Sequence, residues 1–209
     1  MESLETIISQ FKEDKTKYKD SSMNSLQKTR QNEIVRNSES QKKFLLEFSP
    51  AVQERITSDI DLCYFGKFPT LAESKRMGSN TPVMWLMPQL FNLSEYCGCR
   101  DKMTKEQLYE CASLIASEYY YLKISELMLF FRRFKLGKYG RFYGSVDPMI
   151  ITASLRTFVA ERNEAYSVHE SLILKKKMEE DTKNSITYEE YLKLKKNGKL
   201  GKANGNLRV

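Results

Sequence analysis

Helix-start signals recur along this 209-residue chain, and they constrain its fold more than any other feature. In some of them a good N-cap residue precedes Pro, and in others Thr is followed three residues later by Glu or Gln, the spacing of a capping box. Apolar residues recur at helical spacing behind these starts, whereas no segment of useful length alternates with the period of a strand. The sequence therefore predicts an all-α fold, a compact multi-helix core with flexible, charged N- and C-terminal segments. The starts are Ser49-Pro50, Thr70/Glu73, Thr81-Pro82, Thr104/Gln107, Asp147-Pro148 and Thr187/Glu190.

Apolar density divides the chain into three predicted parts. Residues 1–44 are mostly polar, and we interpret them as a mobile arm or as an exposed helix that becomes ordered on a partner. Residues 45–165 carry the apolar stripes and are predicted to form the helical core domain. Residues 166–209 are predicted to form a charged helix followed by a basic, glycine-rich tail.

Two helices of the core carry local expectations. One is predicted to run from Pro50 to near Gly66, with a buried stripe that consists of Val52, Ile56, Ile60 and Cys63. The other holds Trp85, which we expect in the core, and Pro88, which is expected to shorten or kink that helix because proline cannot donate the helical hydrogen bond.

The sequence lacks the features of several protein classes. No apolar run approaches the roughly 18–20 residues that span a bilayer, and the N-terminal sequence has no secretory signal, so we expect a cytoplasmic protein with no membrane partner. The single histidine, His169, and the absence of a suitable acid pair argue against catalysis, and we predict no enzyme and no cofactor. The spacing of Cys97 and Cys99 is poor for structural zinc, so no metal site is predicted. We expect small, reduced, hydrophobic thiols at Cys63, Cys97, Cys99 and Cys111.

The most informative stretch is 131–143, FRRFKLGKYGRFY, which carries five positive charges and no acid in a chain of net charge +7. Cations pair with phosphates, and aromatic faces stack on unpaired bases. Three interpretations stay open: a nucleic-acid-binding loop, a structural loop whose aromatic rings pack on the core, and a protein-binding surface. Under the first, the nucleic-acid-binding residues are Arg132, Arg133, Lys135, Lys138, Tyr139, Arg141, Phe142 and Tyr143.

Landmarks between about Phe65 and Arg162 carry a family resemblance. They include Phe68-Pro69-Thr70-Leu71, Trp85-Leu86, Lys102-Met103-Thr104, the run from Leu129 to Lys135, and above all Tyr139-Gly140-Arg141-Phe142-Tyr143-Gly144. Together they resemble an uncharacterised family of small helical proteins from Bacteroidetes phages and integrated mobile elements. The helical pattern of residues 104–162 is similar, more weakly, to phage replicative-helicase loader or inhibitor proteins, which bind the helicase through flexible parts.

These resemblances imply a non-enzymatic accessory protein of phage or mobile-element DNA replication, of the helicase-loader type. It would contact single-stranded DNA, a replicative helicase or another replisome protein. The alternative is a protein–protein adaptor or regulator in which the basic-aromatic loop is structural and binds no nucleic acid. The sequence leaves open the choice between DNA and RNA, and the oligomeric state.

Overall fold

The computed structural model describes residues 25–183 and 188–196, and most of them are helical. Extended pairing within these ranges is limited to two isolated bridges, Thr70–Lys123 and Asp101–Ser145. The predicted all-α fold is confirmed. Short 3-10 helices cover Pro50–Val52 and Lys75–Met77, and the α-helices are α1 (Ser25–Glu47), α2 (Gln53–Ile56), α3 (Ile60–Phe65), α4 (Leu71–Ser74), α5 (Thr81–Tyr96), α6 (Lys105–Glu118), α7 (Ile124–Lys135), α8 (Pro148–Lys183) and α9 (Tyr188–Lys196).

Helix α7 lies at the centre of the core. Every side chain from Ile124 to Phe131 is buried, and so is Phe134. A helix that is apolar around most of its circumference needs neighbours on several sides. Helices α2, α3 and α5 supply them, and α5 packs in turn against α6.

Two of the predicted capping boxes are confirmed. At the start of α4, the Glu73 N–H donates to Thr70 Oγ1 over 3.1 Å, and the Thr70 N–H donates to Glu73 Oε2 over 2.8 Å. Thr104 and Gln107 exchange the same pair of bonds at the start of α6. The box predicted at Thr187 lies outside the described residues.

The single helix predicted from Pro50 to near Gly66 is wrong. The chain breaks between α2 and α3, where the Thr57 hydroxyl donates to the Gln53 carbonyl and Asp59 Oδ1 accepts the Leu62 N–H as an N-cap. Because α3 begins as a separate helix, its residues do not continue the buried face of α2. Ile60 is therefore 47% exposed instead of buried. Apolar spacing alone concealed this break because the spacing continues across it.

In helix α5, the prediction that Trp85 lies in the core is confirmed, and the expectation that Pro88 shortens the helix is wrong. The helix continues from Thr81 to Tyr96 through Pro88. Trp85 is buried, and its indole N–H donates to the Phe48 carbonyl over 2.7 Å. Gln89 donates to the same carbonyl over 3.0 Å, so α5 holds the end of α1 in place.

The chain divides into two compact units between Leu155 and Arg156. The first unit contains α1–α7 and the first two turns of α8. The second contains the rest of α8, whose side chains are exposed from Glu170 to Lys183, together with α9. The sequence-based boundaries after residues 44 and 165 lie inside α1 and α8, and the three-part division stays a prediction. In the described ranges, no helix combines the length and the apolar character needed to cross a membrane.

Candidate functional site

The candidate site is the basic-aromatic loop, residues 136–147, which follows α7. The Lys138 N–H donates to the Arg133 carbonyl over 3.1 Å, and the Gly137 N–H donates to the Phe134 carbonyl over 2.8 Å. These are the two bonds of a Schellman motif, which needs a left-handed residue at its centre. Gly137 supplies it with φ +79° and lies just past the end of α7.

Backbone hydrogen bonds hold the far end of the loop. The Asp101 N–H donates to the Gly144 carbonyl over 3.2 Å, and the Val146 N–H donates to the Asp101 carbonyl over 3.0 Å. Val146 is buried, and Asp147 Oδ1 then accepts the Met149 N–H at the start of α8. The loop is therefore anchored at one end to α7 and at the other to Asp101, in the segment between α5 and α6.

Two loop aromatics pack on α7. The Phe142 ring stacks on Phe134 with a centroid separation of 5.2 Å and an interplanar angle of 17°. The Tyr139 ring lies 5.5 Å from Phe130 and 5.9 Å from Phe134. Both rings are half-buried, so much of the surface that could stack on a base is used within the protein.

The two predicted arginines of α7 bond to neighbouring helices. The Arg132 guanidinium donates to the Thr57 carbonyl, which the break after α2 leaves without a helical partner. The Arg133 guanidinium donates to the Tyr64 hydroxyl over 2.8 Å, and its central carbon lies 5.7 Å from the centre of that ring. Both arginine side chains thus connect α7 to the segment that contains α2 and α3.

Lys135 makes a similar connection at the end of α7. Its ammonium donates to Gln53 Oε1 over 2.7 Å and to Asn92 Oδ1 over 2.5 Å, and it lies 5.8 Å from the centre of the Tyr96 ring. Burial lowers the pKa of Lys135, because the charged form loses water, while the nearby Cys97 opposes that shift. The ammonium therefore joins α7 to α2 and α5.

The outer surface of the loop carries the remaining predicted residues. Lys138 and Arg141 are exposed, and the Tyr143 side chain is 89% exposed. The eight residues predicted to bind nucleic acid thus differ in exposure: five are half-buried against the core, and these three are exposed. Two cations and one aromatic ring can neutralise phosphates and stack on a base, and nucleic-acid binding by the predicted set stays a prediction.

The sequence interpretation missed the apolar side chains at the two ends of the loop. Leu136 is 74% exposed and Met149 is 76% exposed. Leu136 lies between the last residue of α7 and Gly137, a position outside the buried stripe, and this was the signal that it faces outward.

The cysteines are distributed over the core and its surface. Cys63 and Cys111 are buried, and burial raises the pKa of their thiols to about 11 and about 12. Cys97 and Cys99 are half-buried. Among the described residues, no group of three or more His, Cys, Asp or Glu side chains is arranged to hold a metal ion.

Residues 102–200 match the model of a family of unknown function, DUF6633. The matched range contains the basic-aromatic loop and all of α6–α9. The similarity therefore supports a relation to a family of unknown function over this part of the chain, and it brings no activity with it. Neither the curated proteins nor the solved structures include a significant match to the chain.

Proposed function

We propose that this protein is a non-enzymatic accessory protein of phage or mobile-element DNA replication, of the helicase-loader type, that contacts single-stranded nucleic acid. The observation that carries the proposal is the outer surface of the basic-aromatic loop. Lys138 and Arg141 present positive charge there, and Tyr143 presents an exposed ring. The stretch from residue 131 to residue 146 contains no acidic residue. The replication role rests on the sequence resemblances described above.

The anchoring of the loop favours binding. Its ends are held by the motif at Gly137 and by the backbone bonds of Asp101, and its middle is held by Phe142. Preorganisation of this kind reduces the conformational entropy that a loop loses when it binds. A single-stranded nucleic acid would therefore bind a loop that already has the conformation of the bound state.

The number of exposed cations sets the expected dependence on salt. Each phosphate contact on a single strand contributes roughly 0.7 log units of affinity for each tenfold change in salt. Two contacts, by Lys138 and Arg141, correspond to a slope of about −1.4 in a plot of log binding constant against log salt concentration. A much steeper slope would require the three α7 cations to leave their protein partners.

A protein–protein adaptor or regulator is the second candidate. Leu136 and Met149 are large apolar side chains that are about three-quarters exposed at the ends of the loop, and the Tyr143 ring between them in sequence is exposed as well. Exposed apolar and aromatic side chains are typical of protein-binding sites. In this case the loop would bind a protein partner and no nucleic acid.

Fluorescence anisotropy with a labelled single-stranded DNA oligonucleotide at low salt tests the first candidate. The Lys138→Glu/Arg141→Glu variant should fold normally and lose binding. The matched control Lys75→Glu/Arg76→Glu makes the same charge change at exposed positions away from the loop and should keep most of the affinity. Tyr143→Ala should weaken binding by about 1–3 kcal/mol if the ring stacks on a base.

Absence of binding by the parent protein at low salt, or equal losses in the loop variant and its control, would contradict nucleic-acid contact. Affinity purification from the native host then tests the replication role separately. Recovery of a replicative helicase or other replisome protein supports that role, and its absence from the parent eluate contradicts it. A partner that is lost when Leu136 and Met149 are changed to Ser would favour the adaptor.

A further inference from the structure

Two cysteines lie on either side of the residue that ends α5. Cys97 is the C-cap residue of that helix, and Cys99 follows after a single glycine. Gly98 has φ +65°, and its N–H donates to the Glu95 carbonyl over 3.3 Å. The chain therefore leaves the helical direction between the two thiols, at a left-handed position that suits glycine.

The two thiols are close enough for a covalent bond between them. The Cys99 thiol donates to the Cys97 carbonyl over 3.9 Å, so it is folded back towards the earlier residue. Two Cα atoms that are two positions apart are separated by at most roughly 7 Å. Disulfides join Cα atoms about 4.4–6.8 Å apart. Side-chain rotation can therefore bring the two sulfur atoms together without a rearrangement of the helices.

Access distinguishes this pair from the other cysteines. Cys97 and Cys99 are half-buried, whereas Cys63 and Cys111 are buried. A small reagent in solution therefore reaches the pair, while the core excludes it from the other two thiols.

The charges around Cys97 suit it to react second. Burial raises the pKa of its thiol, and a charge on Cys99 raises that pKa further, while the ammonium groups of Lys102 and Lys135 oppose the shift. Once the Cys99 sulfur is bonded to another sulfur atom it carries no charge. Its contribution is then lost and that of the two lysines remains, so the Cys97 thiolate forms more readily.

We propose that Cys97 and Cys99 are a reversible oxidation site, a dithiol that closes to an intrachain disulfide on reaction with a low-molecular-weight disulfide. The Cys99 thiolate attacks one sulfur atom of the reagent, whose sulfur–sulfur bond breaks, and one thiolate leaves and takes a proton. The Cys97 thiolate then attacks the Cys99 sulfur atom and releases the second thiol. The two protein thiols are oxidised, and the reagent is reduced to two thiols.

Such a bond is suited to reversal. It bridges a single residue, so it constrains the unfolded chain little. Its sulfur atoms stay accessible to a reducing thiol, and accessible disulfides are the labile ones. In a reducing compartment the bond would therefore be transient. The site is independent of the basic-aromatic loop and of the function proposed above.

Mass spectrometry of the full chain tests the site. The protein is incubated with glutathione disulfide at neutral pH without oxygen, denatured in acid and labelled with N-ethylmaleimide. Trypsin releases residues 77–100 as one peptide that contains both thiols. This peptide should lose both labels and the mass of two hydrogen atoms, while the peptides of Cys63 and Cys111 keep their labels. In Cys97→Ser, a glutathione adduct should accumulate on Cys99, because the second attack is removed.

Two Gly98 variants test the turn. A Cβ built on Gly98 would meet no described atom within 4 Å, so only the backbone is affected. Gly98→Val disfavours the left-handed conformation and should close the disulfide about tenfold more slowly than Gly98→Asn, which tolerates it. Equal rates would overturn the role of the turn.

Two results would overturn the oxidation site itself. One is a parent peptide that keeps both labels or carries glutathione on both cysteines, since the thiols would then react independently. The other is a covalent dimer on a non-reducing gel, since the disulfide would then join two copies of the chain.

Discussion

Lys135→Met removes the ammonium that joins α7 to α2 and α5 and keeps a side chain of similar length. Two hydrogen bonds are lost, to Gln53 Oε1 and Asn92 Oδ1, and bonds to charged groups contribute about 1.5–3 kcal/mol each. Part of this loss is offset, because burial of the charged ammonium destabilises the folded parent protein and the variant has no such charge. Gln53 is only 5% exposed and its Nε2 already has no hydrogen-bond partner in the described part of the chain, so the variant leaves this amide without either bond. We expect a net destabilisation of about 2 kcal/mol.

Urea unfolding at neutral pH, followed by circular dichroism, measures this loss. In a thermal unfolding scan of the same variant, the Tm should fall by about 4–8 °C for a chain of this length. Lys138→Met is the control, because Lys138 is exposed, and its stability should change by no more than about 0.5 kcal/mol. Suppose that Lys135→Met keeps the parent's stability but loses affinity for single-stranded DNA. The stabilising role of Lys135 between α7, α2 and α5 would then be refuted, and Lys135 would be a contact to the nucleic acid.

The pH dependence gives a second check on the same residue. The folded chain holds the Lys135 proton less tightly than the unfolded chain, since the pKa in the folded protein lies below the usual 10.5. Between those two pKa values the unfolded state binds more protons, so this group makes the parent more stable as pH rises. The deficit of Lys135→Met relative to the parent should therefore grow through that window. A stability deficit that shrinks as pH rises would contradict the lowered pKa of Lys135 in the folded protein.

Two further predictions concern the thiols and the loop. Near neutral pH, Cys97 and Cys99 should react with a maleimide, while Cys63 and Cys111 stay unmodified until unfolding. Burial blocks access to Cys63 and Cys111 and raises the pKa of their thiols. Equal labelling of all four thiols by mass spectrometry would contradict the fold around α3 and α6. Gly137→Val should cost about 1–2 kcal/mol because φ is +79°, and Gly137→Asn should cost less because Asn adopts the left-handed conformation more readily. No neighbouring atom lies within 4 Å of an added Cβ, so both costs come from the backbone. Equal unfolding midpoints for the two variants would remove the backbone explanation.

The sequence by itself determined the features that depend on near neighbours. The capping boxes at Thr70 and Thr104 are visible because their partners lie three residues away, and the helix end at Gly137 is visible because its bonds span at most five positions. The break at Asp59 was equally local. It was missed because the apolar spacing continues across it, although Asp59 itself is a good N-cap residue.

Only the tertiary structure decided which cations of the 131–143 stretch face solvent. All five have the same charge in the sequence, but Arg132 and Lys135 bond to residues 75 and 82 positions away, in segments that reach α7 only through packing. Lys138 and Arg141 follow Gly137, where the chain leaves the core, and both side chains are exposed. Charge patterning is a property of the sequence, whereas the availability of a charge depends on long-range contacts. The tertiary structure therefore places three of the eight predicted residues on the exposed surface of the loop, and binding by the set stays a prediction.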